Sequence, residues 1–86
     1  MAETLGTLTD KLSITNLKLW HQEDEARRTD VDDAHIGRVK KRIDILNMQR
    51  NDLIAEIDNW LYDVLNGRKQ FKPYDAVKMY GKPDVT

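Results

Sequence analysis

Apolar residues recur along this chain in two blocks, and the second block is the more regular. Ile36, Val39, Ile43, Leu46, Arg50, Leu53, Ile57, Trp60 and Val64 follow one another at alternating three- and four-residue intervals, with Arg50 the one charged member. That period lays them along a single stripe of an α-helix, which Ile54, Leu61 and Leu65 thicken. Asn66-Gly67 supplies a left-handed stop. The pattern therefore predicts a helix of about 33 residues over 33–66, roughly 50 Å long at the α-helical rise.

In the first block, Leu5, Leu8, Leu12, Leu19 and Ala26 have heptad-like spacing, and Ile14, Leu17 and Trp20 widen the apolar face. Thr7, with Asp10 three residues on, is the expected amino-terminal cap. Arg27 and Arg28 suit the negative end of the helix dipole, so a first helix is expected over about 8–28. The connection Thr29-Asp30-Val31-Asp32-Asp33 is short and polar, which makes neighbouring helices antiparallel.

The expected architecture is all-α: a helical hairpin over residues 1–67 with a long second helix, assembling into a four-helix bundle, and a short irregular or partly helical tail over 68–86. A hairpin folded about Val31 sets residue 20 near 42, 12 near 50 and 5 near 57. Trp60, Leu61, Val64 and Leu65 then overhang the first helix and, with Ile57, form a candidate interface. Either the tail covers them with Phe71, Tyr74, Val77, Met79 and Tyr80, or a second subunit does. A chain of 86 residues buries a modest core as one domain, which also favours a homo-oligomer, dimer or tetramer.

Charge changes this picture mainly through its distribution. Lys and Arg number 14 against 15 Asp and Glu, a net charge of −1, which gives no overall attraction to nucleic acid. Residues 1–37 carry a local −4 and residues 66–86 a local +3, so the tail is drawn to acidic surfaces. Its aromatics, Phe71, Tyr74 and Tyr80, are interleaved with lysine, a pattern suited to a protein groove or to stacking on single-stranded nucleic acid; clamping the exposed helix end is the plainer role. The absence of cysteine excludes disulfides and thiolate chemistry, and the amino terminus lacks the form of a signal peptide. A cytoplasmic protein without a membrane span is expected.

Candidate chemistry is sparse. His21 with Asp24 or Glu25 shares a helix face, but one histidine per chain is a poor metal site, so no metal or cofactor is expected. Asp52, Glu56, Asp58 and Asp63 lack the paired Glu-x-x-Glu and Glu-x-x-Asp patterns of magnesium-dependent nucleotide hydrolases, and a solvated helix face accounts for them. Arg38, Lys40, Lys41 and Arg42 lie across from Glu23, Asp24 and Glu25, where opposite charges set register.

The most informative polar set is Asn16, Asn47, Arg50, Asn51 and Asp52. Arg50 occupies a seam position and needs a partner, for which Asp10 is expected, while Asn16 and Asn47 come out nearly opposite each other. Two readings stay open: a polar layer that fixes register, or a pocket for a carboxylate or phosphate.

The stretches Leu5-Gly6-Thr7-Leu8-Thr9-Asp10-Lys11-Leu12-Ser13-Ile14, Leu19-Trp20-His21-Gln22-Glu23-Asp24 and Lys41 to Ile54 resemble a family of short, uncharacterised bacterial and phage helical proteins. The resemblance implies that Trp20, His21, Asn47, Arg50, Asn51 and Asp52 belong to one pattern, and it carries no catalytic mechanism. Lys41-Arg42-Ile43-Asp44 is weakly similar to the helical chorismate mutases, which need several converging cations where this chain offers Arg50. The leading expectation is a non-enzymatic structural or interaction protein, an oligomeric hairpin that binds a protein partner, in part through its tail. The alternative is a ligand-binding protein or enzyme whose polar site (Arg50, Asn47, Asp52, His21) lies at the subunit interface.

Overall fold

The computed structural model of the chain describes residues 3–74 and is a two-helix antiparallel hairpin, α1 (Leu5–Ala26, 22 residues) followed by α2 (Asp33–Leu65, 33 residues). Tyr80, Val77 and Met79 of the tail lie outside the described residues.

Helix α1 begins earlier than its apolar pattern suggests, because Thr4 rather than Thr7 is the cap. The Thr4 hydroxyl accepts the Thr7 N–H at 3.1 Å, and the Thr7 hydroxyl accepts the Thr4 N–H at 2.9 Å. This is a capping box with threonine in place of the usual glutamate, and it satisfies two amides that the helix leaves free. Glu3 accepts from the Thr7 hydroxyl at 2.8 Å and pairs with Lys11, two contacts that hold its carboxyl below the ordinary range, the Lys11 hydrogen bond most of all. At the other end α1 stops at Ala26, before Arg27 and Arg28.

Helix α2 starts at the Asp32 cap, whose carboxylate accepts the His35 N–H at 2.8 Å. It ends where the Asn66 N–H reaches the Tyr62 carbonyl at 3.0 Å and Gly67 takes φ +72°, the left-handed conformation expected of the Asn66-Gly67 pair.

The two helices meet along one seam. From α1 it takes Leu5, Leu8, Leu12, Thr15, Leu19, Gln22 and Ala26; from α2 it takes the unbroken stripe from Ile36 to Val64. Val39 is fully buried and Leu8 is 2% exposed, with Leu19 and Trp60 close behind. Burying such a side chain contributes about 1.5–3 kcal/mol, so these few residues carry much of the hairpin. Thr15 is also buried, and its hydroxyl donates to the Lys11 carbonyl at 2.9 Å, so its polar group costs little inside.

The register differs from a hairpin pivoting on Val31. Arg50 Nε donates to Asn16 Oδ1 at 3.0 Å, which sets residue 16 opposite 50. Asp10 is therefore not the partner of Arg50. At the closed end the helices are tied together where His35 Nε2 sits 3.0 Å from Glu25 Oε1. Carrying the 16–50 register outward places Leu5 opposite residue 61, so the overhang is shorter than the helix lengths suggest. Trp60 falls within the hairpin at 5% exposure, with the edge of Phe71 against its ring at a centroid distance of 5.6 Å and Lys69 over the ring at 5.8 Å.

Candidate functional site

A hairpin of two helices is one layer, here 16 Å in its thinnest dimension and 56 Å long. A layer covers neither of its own faces, and stable domains stack at least two. The chain's accessible surface is 6965 Å², against roughly 5,300 Å² for a compact monomer of its 10.1 kDa mass by the usual size scaling. An elongated hairpin exposes more surface than a compact body of the same mass, and several of its exposed side chains are apolar. Trp20 is 61% exposed and Leu65 76%, while Leu17, Ile45, Met48, Leu61, Tyr62, Phe71 and Tyr74 stand in solvent to a similar degree.

Periodicity sorts the outward residues into two flanks. Asn47, Ile54 and Leu61 recur every seven residues along one flank of α2, with Asn51, Asp58 and Leu65 beside them. The Arg50–Asn16 bond identifies the matching flank of α1, and Trp20, one turn after Asn16, shares it. The opposite flank is a shallow groove with Lys11, Ile14 and Lys18 on the α1 wall and Gln49, Asp52 and Glu56 on the α2 wall. Two lysines face two carboxylates there in the open, so the groove has no net preference for anion or cation.

This division separates the residues singled out from the sequence. Asn16, Trp20, Asn47, Arg50 and Asn51 lie along the first flank, and among them only Asn16 and Arg50 are hydrogen-bonded to each other. Asp52 lines the groove, and His21 follows Trp20 with its ring stacked on the indole at 6.1 Å. At the open end, Ile57 and Val64 are half-buried in the seam, Trp60 is covered, and Leu61, Leu65, Phe71 and Tyr74 are exposed. Ile54 and Asp58 join the first flank, a placement visible only once the Asn16–Arg50 bond shows which side of α2 faces which side of α1.

Electrostatic organisation is strongest at the closed end. Arg28 forms two parallel hydrogen bonds to Asp30, at 2.7 and 2.9 Å, and a third to Glu25 at 2.8 Å. The guanidinium holds the Asp30 carboxyl at about 2, and it lowers Glu25 as well, with His35 adding to the effect. These charges brace the connection and sit in solvent. Among the described residues no three His, Asp or Glu side chains gather as a metal site, and no helix is long and apolar enough to cross a membrane.

Among known proteins, no curated protein and no solved structure matches the chain. The family comparison does match, over residues 1–73, which include both helices and the residues that cover Trp60. The chain belongs to DUF4254, a family described as a protein of unknown function.

Proposed function

We propose that this chain is a non-enzymatic interaction protein, a helical hairpin that acts by assembling with further protein, first with copies of itself. The observation that carries this reading is the apolar surface left outside the seam. Leu17, Trp20, Met48, Leu65 and their neighbours stay in water when the hairpin closes. A hairpin with few fully buried apolar residues gains stability most directly by covering a second face.

Among the described residues the polar side chains do not converge on one point, which is in keeping with this reading. A catalytic constellation needs an acid, base or nucleophile within hydrogen-bond reach of one reacting position. Here His21 and Asp52 are not joined to Asn47 or Arg50 by any hydrogen bond, and the groove beside Asp52 is open and of mixed charge.

The reading is tested by thermal unfolding at a series of protein concentrations, followed by circular dichroism. Coupled folding and association makes the midpoint rise with concentration. A midpoint that stays constant over a hundredfold range would contradict assembly.

A further inference from the structure

We infer that the second copy docks on the flank carrying Asn16, Trp20, Asn47, Ile54 and Leu61, related to the first by a two-fold axis at Ile54. The inference rests on the assembly reading above and specifies its surface. An isologous pair requires a face that complements itself, so that each group on one side of the axis meets its counterpart from the other. This flank has that arrangement about Ile54. Arg50 lies four residues before it and Asp58 four residues after, about 6 Å along the helix in each direction. Trp20, set opposite residue 46 by the Asn16–Arg50 bond, lies about 12 Å to one side, and Leu61 about 10 Å to the other.

A two-fold axis at Ile54, running across the helices, therefore pairs Arg50 with Asp58 of the second copy, twice, and lays the exposed apolar groups of this flank, Trp20 and Leu61, against the second copy. Both charged groups have unused capacity in the single hairpin. Arg50 engages only its Nε–H, leaving the terminal nitrogens of the guanidinium without a partner among the described residues. Asp58 makes no hydrogen bond or ion pair there. An arginine at a seam position is costly unless its charge is met, and Asn16 supplies one neutral acceptor. The carboxylate of Asp58 supplies the missing charge. Trp20, 61% exposed, and Leu61 are the apolar groups that most need cover on this flank together with Leu65. On the opposite flank the charges already face one another within one hairpin, Lys11 and Lys18 on one wall of the groove and Asp52 and Glu56 on the other.

The full chain contains no cysteine, so single substitutions report geometry without interference. Ile54→Cys is expected to be captured as a covalent dimer by a short bismaleimide. Ile14→Cys, on the groove side, is expected to remain uncoupled under the same conditions. Capture at Ile14 and not at Ile54, in a protein whose mass in solution is that of a dimer, would overturn this face while leaving assembly standing. A monomeric mass throughout would overturn assembly itself, and this face with it.

Charge reversal tests the pairing independently. Asp58 is exposed, so Asp58→Arg keeps the hairpin, which circular dichroism checks, and it should weaken the dimer at least about tenfold by opposing two arginines. Arg50→Glu combined with Asp58→Arg should recover most of that loss. Unchanged dimer affinity in Asp58→Arg, with helix content intact, would overturn the pairing even if Arg50→Glu failed to fold.

Discussion

Trp60 is a buried ring whose polar atom meets no partner among the described residues, and the cost of that burial can be worked closely. The side chain is 5% exposed, and its Nε1 has no hydrogen-bond partner among the described residues. Truncating a buried tryptophan to alanine costs about 3–5 kcal/mol. Phe71 meets the ring edge-on, so Trp60→Ala also forfeits the roughly 0.5–1.5 kcal/mol of an aromatic pair. Net stability for a small domain is about 0.05–0.15 kcal/mol per residue, so Trp60→Ala should remove a large part of the total. Trp60→Phe behaves differently. It keeps an aromatic ring against Phe71 and removes an N–H whose unmet burial costs about 1–3 kcal/mol. That relief offsets the smaller ring's lost area, and the net change should lie within about 1.5 kcal/mol of zero. Urea unfolding followed at 222 nm, at one fixed protein concentration, measures both variants. A Trp60→Phe loss as large as that of Trp60→Ala would refute the reasoning, since it would mean the indole N–H is satisfied in the folded chain.

Other perturbations follow from the same interactions. Thr4→Ala removes one half of the capping box and should cost about 0.5–2 kcal/mol in urea unfolding, a loss that Thr9→Ala, at an exposed site, should not reproduce. Gly67→Ala forces a side chain into positive φ and should cost about 1–2 kcal/mol, although nothing crowds the added carbon. Arg28 depresses Asp30 and Glu25, so their contribution is present above the ordinary carboxylate range. It is lost as pH falls through the folded values, for Asp30 between 3.8 and about 2. Arg28→Ala should flatten that acid-side loss in pH-dependent melting. Arg50→Leu, measured where the protein is dilute enough to be monomeric, should leave hairpin stability equal or higher, because an apolar seam residue replaces a partly paired charge. A marked loss of monomer stability would show that the Asn16 bond contributes more than a neutral contact normally does.

The long helix was readable because the stripe from Ile36 to Val64 has one period and one interruption, and Asn66-Gly67 ends it with a conformation few other residue pairs accept. The start of α1 was harder. Two threonines three apart cap each other as well as Thr7 and Asp10 would have done, and periodicity alone does not choose between them. Thr15 and Gln22 occupy seam positions that an apolar count passes over. Thr15 tolerates burial through its own bond to the Lys11 carbonyl, a local device invisible to hydropathy. Register was the main displacement. It rests on side-chain contacts between the helices, Arg50 with Asn16 and His35 with Glu25, which spacing along the chain does not specify. Because register moved, Arg50 found Asn16 instead of Asp10, and Trp60 came under cover. The polar cluster was legible as residues but not as sides: Asn47 and Asp52 are five apart, enough to send them to opposite flanks of one helix.

If another copy covers the hairpin's exposed faces, absolute mass by light scattering on a sizing column will register it. Across a hundredfold range of concentration, the account predicts a species of at least twice 10.1 kDa that dissociates only on dilution. A mass of 10.1 kDa at every concentration would contradict it.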